Sequence, residues 1–560
     1  MRRTALALSL LAAACASGSS EPLDVAEMPD IDAATVLRHI ETLASDEFEG
    51  RAPGSRGEKL TVDYLVTQFR EMGLQPGNPN GTYLQQVPLV GLTPSNFTPL
   101  TIRGGSDRPA AFEYRTDYVG NSLRVTDRIA LENSELVFVG YGVEAPEYEW
   151  DDFGDMDLTG KTLVMLVNDP PLTGQDGQLD PDVFGGNAMT LYGRWTYKFE
   201  KAAELGAAGA FVVHEDVPAG YPFSVVQGGW SGEAFNLITP DRNMNRAAVE
   251  AWLSLDAATR LFEMAGLDYQ AQKTAAASRD FTPVPMSLTA SLSFDQAQRT
   301  VDSNNVIARL PGSNPDLADE HVVYMAHWDH MGVGEPVDGD AIYNGAMDNA
   351  SGTAAMLEIA RAMTQIEPAP ERSVLFLAVT AEEQGLLGSA YYAQFPLYPL
   401  ATTVAAVNLD GMNMWGRTRD MVVIGLGASE LDDYLREAAA EQDRVLVPDP
   451  EPEKGFYYRS DHFNFAKVGV PALYKDDGID YIGKPEGYGQ EKRDYYTSTD
   501  YHAPSDEVKP EWDLSGLAED AKLLLAVGYR VANADEYPEW SPTSEFRAIR
   551  EQMLQAGGSR

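Results

Sequence analysis

Cysteine is nearly absent: Cys15 is the only one in 560 residues. A single thiol excludes an internal disulfide and any zinc site built from several thiolates. Histidine is scarce, with seven residues, and so is positive charge, with 42 Lys and Arg against 85 Asp and Glu. The formal net charge of −43 repels nucleic acid and anionic membranes and attracts cations, so nucleic acid is not an expected partner. The charge reads as a solubility or salt adaptation of the surface, with an acidic cleft that attracts amines as the alternative. Long hydrophobic runs are lacking as well. The apolar run Ala5 to Ala14 is too short to span a bilayer, and no other segment could. There is no internal repeat and no low-complexity tract.

What is present points to a soluble, multi-domain chain. A length of 560 residues exceeds one ordinary core, so two or more domains are expected, and 44% hydrophobic residues is normal for a globular protein. Arg2 and Arg3 precede the apolar run, and small residues surround Cys15, the pattern of an export signal. A cysteine there suggests lipid attachment after cleavage, as in bacterial lipoproteins. Ala12 departs from the usual leucine, so ordinary cleavage after Ala14 or Ala16 is the alternative. Ser17 to Pro22 reads as a tether. The expected location is the bacterial cell envelope or periplasm, anchored through Cys15, or outside the cell.

Periodicity predicts helix over 33–74, broken by a turn at Gly50 to Gly57. Short buried strands are expected at Leu136–Val139, Thr162–Val167 and Gly209–Val213, with a helix at Tyr197–Leu205 and long polar loops between them. This stretch has the look of an inserted domain. Further on, strands at His321–Ala326, Val374–Val379, Val404–Leu409 and Met421–Ile424 alternate with helices at Ser351–Met363, Gly385–Ala393, Leu431–Gln442 and Leu514–Val531. That alternation predicts an α/β fold, a sandwich around a largely parallel sheet.

Five metal-binding side chains occur in the order His327, Asp348, Glu383, Asp410, His502, with Glu382 directly before the third. Three of them follow buried strands, where open α/β sheets gather ligands. His327-Trp328-Asp329 suits a metal ligand whose second ring nitrogen is held by a carboxylate. Asp348, within Gly345–Gly352, has the setting of a helix N-cap or of a carboxylate bridging two metals. The neighbours Glu382 and Glu383 can split roles, one ligating and the other handling protons. Asp410 follows an apolar run in which an unpaired acid would be costly. Oxygen and imidazole donors without sulfur fit zinc, manganese or cobalt, and two metals about 3.5–4 Å apart typically activate water for hydrolysis. His330 is expected near the metal loop without ligating, His462 in a structural hydrogen-bonding role, and His39 and His214 as structural only.

These segments resemble the co-catalytic di-zinc aminopeptidase family, which includes aminopeptidases S and Y, glutamate carboxypeptidase II and transferrin receptor. The likeness is carried by Ala326–Asp329, Gly345–Gly352, Ala381–Ser389, Asn408–Asp410, Ser460–His462 with Gly469–Ala472, Tyr501–Asp506, and the N-terminal Glu49–Gly54. The stretches Leu136–Ala145 and Tyr197–His214 resemble a protease-associated (PA) domain. The resemblance implies a three-layer α/β/α sandwich around a mostly parallel mixed sheet, with an inserted β-rich PA domain. Its expected divisions are 1–20 signal and tether, 21–125 N-terminal part of the peptidase domain, 126–285 insertion, 286–535 main domain and 536–560 tail.

The same resemblance implies two Zn2+, with Mn2+ or Co2+ as substitutes. His327 and Asp410 would hold one, Glu383 and His502 the other, and Asp348 would bridge. Asp329 would orient His327, and Glu382 would act as general base and then acid. Tyr457 and Tyr501 are both placed to stabilise an oxyanion, and the sequence does not choose between them. The implied function is an exported aminopeptidase acting on peptides. The alternatives are a carboxypeptidase of the glutamate carboxypeptidase type, for which Arg459 and Lys475 are the available cations, a hydrolase of some other amide, and a binding protein with a vestigial site. The insertion is expected to cap the cleft.

Overall fold

In a computed structural model of the chain, residues 23–174 and 178–557 are described. The expected export signal and Cys15 lie outside the described residues. Among the described residues no helix is long and apolar enough to cross a membrane.

The lobe that holds the five candidate ligands is built on parallel strands whose residues are buried on both faces. His321–His327 lies between Ser373–Val379 and Thr403–Asn408, parallel to both. Thr403–Asn408 also pairs in parallel with Ala472–Asp476, which pairs antiparallel with Asp420–Ile424. The far edge is antiparallel too, where Val306–Leu310 runs against Ser373–Val379. The result is a mixed, mostly parallel sheet.

Side-chain alternation sends successive residues to opposite layers. Val322, Tyr324 and Ala326 face one core, shared with the helices Ala33–Leu43, Gly352–Met363 and Ser515–Ala532. Val323 and Met325 face another, shared with Tyr392 and Phe465 from the helices Leu387–Gln394 and His462–Lys467. Each such burial stabilises by about 1.5–3 kcal/mol. Tyr324 also donates its hydroxyl to the Leu524 carbonyl at 2.7 Å. That approach requires Gly528, where a Cβ would come within 1.9 Å of the Tyr324 hydroxyl.

The helices follow the sequence pattern with two informative offsets. The helix expected from Ser351 begins at Gly352, because Asp348 (φ −106°, ψ 100°) and Asn349 (φ −130°, ψ 40°) are held outside helical geometry. The helix expected from Gly385 begins at Leu387, because Gly385 and Leu386 have φ of 107° and 60°. The helix Tyr488–Thr499 was not expected. Only Gly489 in it is buried, so it has no apolar stripe to read.

A second lobe has its own cores. Arg128–Phe138, Thr162–Leu166, Gly209–Val213 and Val249–Leu253 form a parallel set, closed by Tyr118–Asn121 running antiparallel. Its main core also takes Leu100, Ile102, Phe112, Leu292 and Phe294. The strand Val284–Leu310 joins the lobes, pairing first with Arg128–Phe138, then with Leu84–Ser95, then with Ser373–Val379 of the first lobe's sheet. The alternation of Met286, Leu288, Ala290, Leu292 and Phe294 is the period-two signal for its first half.

Candidate metal centre

Parallel strands end on one edge of the sheet, and this is where the candidate ligands meet. His327 ends its strand, Glu382 and Glu383 follow Val379, and Asp410 follows Asn408. His327 Nε2 lies 3.2 Å from Asp348 Oδ1 and 3.2 Å from Asp410 Oδ1. His502 Nε2 lies 3.3 Å from Asp348 Oδ2 and 3.0 Å from Glu383 Oε2. The structure thus brings the five residues together in two donor sets, with one oxygen of Asp348 turned to each. Ligand donors on a tetrahedral ion with bonds of about 2.0–2.1 Å are separated by about 3.3 Å. The observed spacings fit such an ion, and the oxygen and imidazole donors fit zinc.

Each ligand is held by a neighbour. The Asp506 carboxylate accepts the N–H groups of Met347 at 3.0 Å and Asp348 at 3.1 Å, which fixes the bridging residue. Gly345 makes that turn at φ 59°, where a Cβ would meet the Asp348 carbonyl at 2.3 Å and the His330 ring at 2.5 Å. Asn408 donates to Ser460 Oγ at 2.7 Å, and Ser460 donates to Asp410. His330 Nδ1 lies 2.6 Å from Glu383 Oε1. Ala381 (φ 53°) and His502 (φ 55°) hold left-handed backbone beside the cluster, a concentration of strain seen at functional sites.

Asp329 connects two of the site residues. The His327 Nδ1 contact is closer to its carbonyl, at 3.2 Å, than to its carboxylate, at 3.9 Å. The carboxylate instead accepts the Glu382 N–H at 3.2 Å. The Glu382 carboxylate comes within 4.8 Å of donor atoms of His327 and Asp410.

Taken as protein groups alone, the cluster is strongly polarised. Burial, with Glu383 and Asp410 adding to it, pushes Glu382 well above the usual carboxylate range, and His327 opposes. Burial pushes Asp329 up to about 8. Burial and Asp348 work against ionisation of Glu383, but His502 and His330 hold it down at about 2. Burial also works against Asp348, whose pKa is nevertheless held well below the usual range by hydrogen bonds to His327 and His502. Opposed shifts on adjacent glutamates are the pattern of an acid–base pair split between two tasks.

The two sequence-nominated tyrosines part company. Tyr501 stacks on His502, with ring centroids 3.8 Å apart. Its hydroxyl pKa is raised by loss of solvation and then by Asp348, with Glu383 and Glu382 contributing. Tyr457 is not brought to the cluster. Its ring packs on His462 and Phe546, its hydroxyl is buried without a partner among the described residues, and the acids acting on it are Glu545 and Asp432. A third, Tyr474, was not singled out; it sits opposite Asn408 in the sheet, with Asp410 and Glu382 acting on its hydroxyl.

The other histidines and Lys475 have structural surroundings. The His462 ring packs between Tyr457 and Tyr474, and a hydrogen bond with the Tyr457 backbone acts on it. Burial holds its pKa down at about 3. His39 Nδ1 contacts the Tyr64 hydroxyl at 2.6 Å, and His214 lies among Tyr221, Phe223 and Trp252. Lys475 is buried between Asp477 and Asp520, at 3.3 Å from each, and is not a free cation for a substrate carboxylate.

Comparison with known proteins finds similarity over the segment that holds this cluster. Residues 305–526 match Peptidase family M28. A probable zinc metalloprotease of Pyricularia oryzae is 37% identical over 112 residues, 20% of each chain. One from Pyrenophora teres f. teres is 34% identical over 110 residues, so this chain spans under a quarter (23%) of that relative's length. Aminopeptidase YwaD of Bacillus subtilis is 26% identical over 242 residues, 42% of this chain and 46% of that one. Among solved structures, an aminopeptidase from Aneurinibacillus sp. strain AM-1 aligns over 92% of this chain and 95% of its own at 18% identity, with a TM-score of 0.48. All five candidate ligands and Glu382 fall within the matched segment, so that over residues 305–526 the chain is similar to peptidase family M28.

Proposed function

We propose that the protein is an exported zinc aminopeptidase that binds two ions, one in each donor set, and removes N-terminal residues from peptides. The observation that carries this reading is the division of Asp348, whose two oxygens each face a different imidazole. Zinc held there would lower the pKa of water and polarise a substrate carbonyl. His327 and Asp410 would hold one ion, and Glu383 and His502 the other.

The remaining work falls to the chain's own groups. The Glu382 carboxylate takes the proton of the attacking water and later gives it to the leaving amine. Asp329 fixes the backbone from which Glu382 reaches, through the 3.2 Å bond to its N–H. The Tyr501 hydroxyl is the favoured donor to the oxyanion. The acidic cluster attracts the free amine of a peptide. The aminopeptidase name of the Bacillus subtilis relative supports this direction of cleavage. The carboxypeptidase alternative loses one of its two cations, because Lys475 is neutralised by buried aspartates.

Export, with a lipid anchor at Cys15, is supported by Arg2, Arg3 and the apolar run Ala5–Ala14. The lobe holding the strands from Arg128 to Leu253 is proposed as a PA-like cap.

The test is release of amine from an amino-acid anilide panel that includes N-acetylated members, together with C-terminally free dipeptides. Cleavage restricted to free-amine substrates supports the reading. Cleavage of acetylated substrates with free carboxylates replaces it with a carboxypeptidase. No turnover by zinc-loaded protein rejects peptide hydrolysis.

A further inference from the structure

Two guanidinium groups, one from each lobe, lie at the seam between them. Arg194 directly follows the turn Leu191–Gly193 of the second lobe, and Arg459 directly follows the turn Phe456–Tyr458 of the catalytic lobe. These segments are pressed together. The Met189 N–H donates to the Pro452 carbonyl at 3.0 Å, the Met189 side chain lies on Gly455, and Leu191 packs with Tyr457 and Tyr458 against Phe463, Trp540 and Phe546.

Neither cation is neutralised by an ion pair among the described residues. Arg194 Nε is buried without a hydrogen-bond partner, and the exposed Arg459 only lies over the Phe456 ring, at 5.1 Å. Other buried guanidinium groups find acceptors, Arg51 and Arg550 on backbone carbonyls. The largely buried Arg372, Arg444 and Arg493 each have a carboxylate within 2.8 Å. Holding Arg194 unpaired is costly, since burial and then the charge of Arg459 lower its pKa to about 10. Arg459 borders the metal centre, because the next residue, Ser460, donates its hydroxyl to the candidate ligand Asp410.

We propose that Arg194 and Arg459 form a subsite for a carboxylate of the substrate, so that the enzyme favours short peptides whose free C-terminus reaches the seam. This rests on the peptide-hydrolase reading and adds its substrate class. Guanidinium groups match a carboxylate through parallel N–H donors, and a partly desolvated, unpaired cation has the most to gain from an anion. A side-chain carboxylate next to the cleaved bond offers the same chemistry, and the test separates the two sources.

The experiment compares kcat/KM for Leu-Ala, Leu-Ala-Ala, their C-terminal amides and Leu-Asp-amide, in wild type, Arg459→Gln, Arg194→Lys and the Arg194→Gln/Arg459→Gln pair. Free peptides should exceed their amides by about tenfold or more in wild type. That ratio should fall toward one in the pair, with Arg194→Lys retaining part of it. A gain for Leu-Asp-amide instead, lost in the same variants, identifies a side-chain carboxylate. A wild-type ratio near one for every carboxylate, or a ratio the pair does not change, overturns the proposal.

Calorimetric binding of Leu-Ala and its amide to Glu382→Gln protein, with and without Arg459→Gln, reads the same preference without turnover. Failure of the peptidase reading, seen as no turnover of any substrate, is thereby distinguished from failure of the subsite. The exposed Arg459 keeps the test open if Arg194→Gln does not fold.

Discussion

The guanidinium of Arg51 donates to the carbonyl of Gly345 at 2.8 Å, three residues before the bridging Asp348. The same side chain reaches the carbonyls of Trp328 at 2.8 Å, Asn344 at 2.6 Å and Leu43 at 2.7 Å. One buried cation therefore ties the loop after His327 to the loop before Asp348. Its charge also offsets Asp506, Asp329, Asp348 and Glu383, which counter the lowering of its pKa by burial. Arg51→Met would leave four carbonyls without their donor, at about 1–3 kcal/mol for each buried one that water cannot reach. We expect a loss on the order of 3 kcal/mol in urea denaturation and a weakening of zinc affinity of about tenfold or more. Unchanged zinc affinity would show that the loops keep their places without Arg51.

Glu382→Gln keeps the shape of the side chain and removes its capacity to carry a proton. Its carboxylate contributes to neither ligand pair of the proposed two-ion site, so zinc content should match wild type while kcat falls by about 10²–10⁴-fold. Metal analysis beside anilide turnover checks both halves. Loss of zinc together with activity would make Glu382 a ligand.

The strands of the catalytic sheet and the residues at their ends were legible because His321–His327, Ser373–Val379 and Thr403–Asn408 are buried on both faces and read as apolar runs. The supports of the site were not. Arg51 acts across 277 residues to reach Trp328, and nothing local marks a cation that will bind carbonyls. Asp506 lay inside a quoted motif, but its hold on Asp348 depends on a turn that only the fold defines. Tyr457 misled for a related reason. It precedes Arg459-Ser-Asp-His462 as a site residue might, yet its hydroxyl turns into an apolar cluster with Phe463, Trp540 and Phe546.

Metal removal should be visible in stability. Ions that bind the folded chain and not the unfolded one stabilise it by mass action, about 3–4 kcal/mol at ligand concentrations of 100–1,000 times Kd. A chelator should therefore lower the melting temperature by several degrees, and zinc should restore it. Asp348→Asn should remove most of this response, because one donor set then faces an amide NH2 and the other keeps only an uncharged oxygen. A chelator response preserved in Asp348→Asn would locate the stabilising ion elsewhere.

The second lobe carries a pH dependence of its own. Burial raises Asp152 to about 7, against the lowering effect of its bonds from Val143 N–H at 3.0 Å and Trp150 Nε1 at 2.9 Å. The unfolded chain titrates this group near 3.8. Between those values the folded state binds more protons, so its contribution to stability is present below about pH 4 and is lost as pH rises through about 7. Asp152→Asn should flatten that part of the curve. Denaturation of both proteins at pH 5 and pH 8 measures it, and parallel losses in the two would contradict the assignment.

Which tyrosine serves the reaction is decided by where each hydroxyl finds itself. Tyr457→Phe removes a buried hydroxyl that has no partner, a change that costs little and can stabilise, so kcat should stay near wild type. Tyr501→Phe removes a hydroxyl on a ring stacked against His502, within the field of Asp348. If it donates to the oxyanion, kcat should fall by about 10²-fold, with KM changing much less. Tyr474→Phe is the discriminating third variant, since Asp410 and Glu382 both act on its hydroxyl. A large kcat loss there, with Tyr501→Phe near wild type, would move the oxyanion donor from the loop before His502 to the strand beside Asn408.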